Sequence, residues 1–373
     1  MARDWKTWFE ADLPRMLVDL EAMVRLESPS DDPARVSLLA AWVCNRLRAG
    51  GVGAELRPCP PRGEAVFASI GPRDEGTLLL GHLDTVWPVG TLATIPYRVE
   101  GDRASGPGIF DMKAGVAVAI AVLSALAKEP RPPAVSLLLL PDEEVGTAAS
   151  HELLLSVARR HRQVLVLEPS LEGAAKVARK GTGVFQVSFK GVAAHAGLEP
   201  EKGASALAEL ALFVMFVENL TDSATETSVV ATLAQAGSAS NVVPEEATLT
   251  VDARVWSTDE GARVETAIRG YPSVDPRVVV STAGGFDRPP MEPTPASRTL
   301  YEKARIVASG LGFELGAARV GGASDGNFTA AAGLPTLDGL GPRGGGAHAR
   351  DEHVLVSDLP FRAALLAGLL SGS

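Results

Sequence analysis

Five short stretches of this 373-residue chain carry side chains that can bind a cation or move a proton. The first ends an apolar run with His82-Leu83-Asp84. Positions 82 and 84 are two apart, so on extended backbone both side chains point the same way. His82 can then ligate a metal while Asp84 holds the other ring nitrogen. Taken alone, the pair reads more simply as a solvated His and Asp at a strand end. Asp111 follows in Gly106-Pro107-Gly108-Ile109-Phe110-Asp111-Met112-Lys113, just before a long apolar run. By itself it suits a helix N-cap, and its two oxygens equally allow it to bridge two cations. Asp142, Glu143 and Glu144 are adjacent carboxylates that repel one another unless exposure or cations compensate. Glu168 closes the apolar run 163–167, and His348 rides on Gly344-Gly345-Gly346. Imidazoles with carboxylates suit Zn2+, with Co2+ or Mn2+ as substitutes.

These residues need a scaffold that gathers them. The runs at 65–70, 77–80, 135–140 and 163–167 are short and apolar on both faces, as in central strands of a covered parallel sheet. Three of them deliver His, Asp or Glu at their carboxyl ends, where open α/β sheets collect ligands. Helical spacing appears at 11–26, 35–49, 296–310 and 358–371, and the apolar run 114–127 suits a buried helix between two strands. From about 180 the texture changes to alternation at 184–190 and 247–255, which suits antiparallel strands with one solvated face. Helical stretches at 203–219 and 258–269 accompany them. The pattern predicts an α/β catalytic domain over 1–179 and 289–373, interrupted by an α+β domain over 180–288. His151 and His161 read as surface residues, and His353 competes with His348 as a ligand.

Composition narrows the class. The chain has 35 Lys plus Arg against 45 Asp plus Glu, a net charge of −10, with 46% hydrophobic residues. An acidic chain without a basic run is a poor nucleic-acid or membrane-surface binder. Two cysteines, Cys44 and Cys59, cannot make a disulfide framework, so a reducing, cytoplasmic setting is expected. The charged N-terminus shows no signal-peptide pattern.

The segments H-x-D-T-V, G-P-G-x-x-D-x-K, D-E-E-x-G, E-P and G-G-G-x-H-x-x-D-E, in this order, resemble the M20 family of metallopeptidases, and within it the glutamate carboxypeptidase branch. The resemblance implies a mostly parallel-sheet zinc-peptidase domain with an inserted dimerisation or lid domain of antiparallel sheet and two helices. It implies two zinc ions: His82 and Glu168 on one, Glu144 and His348 on the other, Asp111 bridging. Glu143 would be the general base and then acid, taking a proton from the attacking water and delivering it to the leaving amine. Asp84 would orient His82. His195, alone a surface histidine, matches the family residue that reaches across a homodimer to polarise the scissile carbonyl. Asn241, Arg254 and Arg288 would line the pocket for a substrate carboxylate, which a guanidinium fork meets bidentately; Arg254 reads equally as a solvated-face charge. Lys176 and Ser324 fall in matching substrate segments. The implied reaction is hydrolysis of a C-terminal peptide or N-acyl amino acid amide bond. Its alternatives are an acetyl- or succinyl-type deacylase and, more distantly, a non-catalytic metal-binding scaffold.

Overall fold

The Thr77–His82 and Val135–Leu140 strands are buried at every position, as continuous apolar runs must be when a parallel sheet is covered on both faces. The computed structural model, which describes residues 3–72 and 76–372, places them at the middle of a six-stranded sheet. Its order is Gly53–Pro58, Glu64–Ile70, Val135–Leu140, Thr77–His82, Gln163–Val166, Thr336–Leu337. The last four strands are mutually parallel and the first two attach antiparallel. His82 lies beside Leu140 and Leu80 beside Val166, so three neighbouring strands finish together at one edge.

The Ala114–Leu126 helix is buried along its whole length. The stretch 109–126 is long and apolar enough to span a membrane by composition, yet 89% of it is buried inside the protein, as a core helix is. A Cβ at Gly115 would stand 2.2 Å from the carbonyl oxygen of Leu167. Glycine there lets the helix abut the strand end that leads into Glu168. The first helix, Trp5–Arg25, begins earlier than its apolar spacing suggests, because Asp4 caps it by accepting from the Thr7 amide and the helix runs on through Pro14. The helices Pro33–Ala49, Pro295–Gly310 and Asp358–Ser371 fall where the spacing places them.

Contacts divide the chain into two units: Met1–Val177, Pro293–Arg319 and Ser324–Ser373 form unit 1; Ala178–Glu292 with Val320–Ala323 form unit 2. Unit 2 therefore reaches past the 180–288 limits read from texture. Arg179 and Met291 exchange backbone hydrogen bonds, and the Lys180 amide donates to Val320 O at 3.1 Å, so backbone pairing carries the boundary outward. Unit 2 is an antiparallel sheet in the order Ser228–Ala236, Glu246–Val255, Gly181–Lys190, Val279–Arg288, with helices Ala206–Glu218 and Thr258–Arg269. Burial alternates along Gly181–Lys190 and Glu246–Val255, which gives one core face and one open face. Ser205 and Ser257 cap the two helices by accepting backbone amides. Ser228–Ala236 is an edge strand with Leu233 70% exposed, and the Ala206–Glu218 helix packed on it leaves Met215 63% exposed. Together the units make a mixed α/β fold with an inserted α+β portion.

Candidate metal centre

Five predicted ligands come together at the carboxyl edge of the unit 1 sheet. His82 Nε2 lies 3.1 Å from Asp111 Oδ1 and 3.4 Å from Glu168 Oε1. His348 Nε2 lies 3.5 Å from Asp111 Oδ2 and 3.3 Å from Glu144 Oε2. Asp111 thus shows one oxygen to each histidine. Metal–donor bonds of about 2.0–2.2 Å place donors of one tetrahedral shell about 3.3–3.6 Å apart, so the donor set fits two cations sharing Asp111. The buried Oε1 of Glu144 has no hydrogen-bond partner among the described residues, and a cation ligand is one use for such an atom.

The simpler readings of these residues do not hold. His82 and Asp84 are buried rather than solvated, as are Asp142 and Glu143. Asp111 does not cap the apolar helix: its backbone and that of Met112 are non-helical, and the N-cap position falls on Lys113. Asp111 is freed from capping by sitting in an irregular loop whose turn requires Gly108 at φ 68°.

Charge coupling follows from the geometry. Burial pushes the His82 imidazolium toward deprotonation, but Asp111, Asp84 and Glu168 outweigh it and raise its pKa well above the usual value. Asp111 and Glu144 likewise hold the His348 proton up to about pH 10. Burial opposes ionisation of Asp111, yet the two imidazoles keep it well below the carboxylate range, while burial raises Glu144. Without a cation both imidazoles hold protons, and a cation that takes their Nε2 lone pairs displaces them.

Asp84 differs in detail from the expected carboxylate–imidazole pair. His82 Nδ1 lies 3.0 Å from the Asp84 carbonyl oxygen and 3.4 Å from its carboxylate. The carboxylate accepts instead from the amides of Glu143 and Glu144, each at 3.1 Å, and from Ser30 Oγ at 2.7 Å. It therefore fixes the 143–144 turn. Asp142 accepts from Ser150 Oγ and from the Ala149 amide, bracing the same loop. His348 is held at φ 59°. Two residues before it, Gly346 has φ 73° and no room for a Cβ, which would meet the Glu352 amide at 2.8 Å. Sequence reasoning assigned no role to Ser30, Trp87 or Glu352. The signal available for Glu352 was its place in the His348 segment. His353 bonds the Asp351 carbonyl through Nδ1 and takes no part in the cluster.

Four other predicted residues, His195, Asn241, Arg254 and Arg288, belong to unit 2. The Ala196 amide donates to Asn241 O at 2.9 Å, which brings the His195 and Asn241 segments together. His195 is exposed, and its Nδ1 accepts from the amides of Gly197 and Leu198, each at 3.1 Å. Arg254 and Arg288 flank Thr182 on neighbouring strands. Nε and Nη2 of Arg254 already grip Asp252 at 2.8 and 2.9 Å, so the bidentate face expected to meet substrate is taken by a neighbour two residues back. Lys176 and Ser324 belong to unit 1. Lys176 shares a backbone bridge with Asp338. Ser324 is fully buried, with Oγ donating to Asp338 at 2.6 Å. That places its hydroxyl in an internal network, against the expectation that it touches substrate.

Comparison with known proteins bears on the family and the fold. Residues 78–372 match the model of Peptidase family M20/M25/M40. The chain is 31% identical over 374 residues to carboxypeptidase G2 of Pseudomonas sp. (strain RS-16), covering 96% of this chain and 89% of that protein. It is 28% identical over 322 residues to a succinyl-diaminopimelate desuccinylase of Thioalkalivibrio sulfidiphilus, covering 79% and 84%. Among solved structures, aminopeptidase PepT from Bacillus cereus superposes with a TM-score of 0.81 at 19% identity, over 96% of this chain and 98% of that one. The motifs, the fold and these matches place the chain in the M20 family of metallopeptidases.

Proposed function

We propose that the chain is a dinuclear zinc hydrolase that releases a C-terminal amino acid from a peptide or an N-acyl amino acid, as a carboxypeptidase does. The observation that carries this reading is Asp111, shared between two His/Glu pairs, with Glu143 next in the chain to Glu144. When bound, two cations would polarise the scissile carbonyl and make the attacking water more acidic. Glu143, its amide anchored on Asp84 Oδ1, takes the proton from that water and returns it to the leaving amine. In neutral His195 the Nδ1 acceptor role leaves the ring proton on Nε2, a donor suited to a carbonyl oxygen. Arg288, paired across from Thr182, is assigned to the free carboxylate of the substrate, with Asn241 as a polar partner; Arg254, whose fork holds Asp252, is left to orient that neighbour. A second reading, release of an acyl group such as succinyl from an amino acid, uses the same residues and is favoured by the desuccinylase relative.

A panel of dipeptides and N-acyl amino acids, assayed with and without added Zn2+, separates the two readings by which acyl part is accepted. Within the panel, Glu143→Gln is expected to lower kcat by about 10²–10⁴-fold at unchanged metal content. Near-normal turnover by that variant with metals bound would remove Glu143 as the base.

A further inference from the structure

Glu352 is wholly buried. Its Oε1 accepts from the amides of Phe110 and Asp111 at 2.9 and 3.1 Å. Its Oε2 accepts from the Gly108 amide at 2.9 Å and from Trp87 Nε1 at 2.7 Å. An ionised carboxylate offers about four acceptor positions, so these four donors saturate it and leave none for a cation. The donors belong to two separate segments. One is the irregular 106–113 loop that presents Asp111; the other runs from His82 through Asp84 to Trp87. Glu352 itself lies four residues after His348, and its carbonyl accepts from the Gly106 amide at 3.4 Å.

We propose that Glu352 is a positioning residue that ties the three segments bearing His82, Asp111 and His348 and so sets the spacing of both metal positions at once. The inference rests on the dinuclear reading above. A buried carboxylate is costly unless its hydrogen bonds are met, and here they are met by three backbone amides and the Trp87 indole N–H. Asp111 is the group most directly controlled, since its own amide is one of the donors. Asp111 also faces both histidines, so displacing it disturbs both positions together.

The test titrates the full-length chain with Zn2+ against a competing chelator, and with Co2+, whose visible spectrum reports ligand geometry. Glu352→Gln keeps the shape but turns one acceptor into a donor; Trp87→Phe removes one of the four donors. Loss of such a supporting partner typically weakens metal binding about 10–100-fold. Both binding steps of Glu352→Gln are expected to weaken by that factor, Trp87→Phe by less, with altered Co2+ bands and a wild-type circular dichroism spectrum before metal is added. Wild-type affinity for both ions in Glu352→Gln overturns the proposal, as does weakening of only one step. If Glu352→Gln does not fold, wild-type affinity in Trp87→Phe overturns it instead. A wild-type chain that binds fewer than two ions refutes the dinuclear reading itself, and this inference with it.

Discussion

In an Asp84→Asn variant one carboxylate oxygen becomes an NH2 group that can no longer accept. Asp84 is fully buried, Oδ1 accepts from the Glu143 amide, and Oδ2 accepts from the Glu144 amide and Ser30 Oγ. Whichever way the new amide turns, at least one buried N–H faces a donor. An unmet buried donor costs about 1–3 kcal/mol, and the surviving bonds lose charge assistance worth about 1 kcal/mol. The expected loss is about 2–4 kcal/mol in urea denaturation of the metal-free chain. The variant keeps the Asp84 carbonyl, the nearer contact of His82 Nδ1, so affinity for the His82 metal changes little. Turnover falls more, on the order of 10–100-fold, because the turn bearing Glu143 loses its anchor. Wild-type stability with wild-type kcat would refute the reasoning outright. Weakened metal binding with kcat intact would refute its central step, that this carboxylate serves the Glu143 turn rather than the imidazole.

Two further outcomes follow from the geometry. In the metal-free protein the His348 proton is held to about pH 10 by Asp111 and Glu144, against an ordinary value of about 6.5. That stabilisation is complete below about pH 6.5 and is lost as pH rises through about 10. The Tm of chelator-treated protein should therefore fall between pH 7 and 10, and fall less in His348→Gln; equal slopes would sink the argument. Leu233 on the edge strand and Met215 on the helix packed against it are exposed apolar side chains, and we propose that the homodimer implied by the family resemblance uses this edge. Leu233→Lys should convert a dimer to a folded monomer by size exclusion with light scattering, and a wild type already monomeric at micromolar concentration removes the dimer.

Much of the centre was legible because its residues sit where local pattern is strongest. His82, Glu144 and Glu168 each follow an apolar run closely, so a strand and its end can be read from a few letters. The same holds for helices with clear spacing, such as Thr258–Arg269. The strands Gly53–Pro58, Ser228–Ala236 and Val279–Arg288 were not read, because they are mostly exposed or half-buried and their periodicity is weak. Their identity comes from the partner strand, not from their own letters. Glu352 went unassigned for a related reason: its donors lie 241 to 265 positions away, beyond any local window. Arg254 read equally as a substrate ligand or a solvated-face charge, and only the fold reveals Asp252 in its fork.

The order of ligands along the chain has a consequence for synthesis. Four of the five proposed metal ligands lie before the insertion, and His348 comes 180 positions after Glu168. At roughly 5–20 residues per second, a nascent chain waits about 10–40 s between completing the His82–Asp111–Glu168 side and receiving the histidine that completes the Glu144 side. Glu352 arrives only after that. A chain interrupted in the insertion therefore carries Glu143 and four of the proposed ligands without His348 and Glu352. On the proposed reading, hydrolytic power appears only after residues 348–352 have been made, so the insertion separates the two halves of the site in time as well as in sequence.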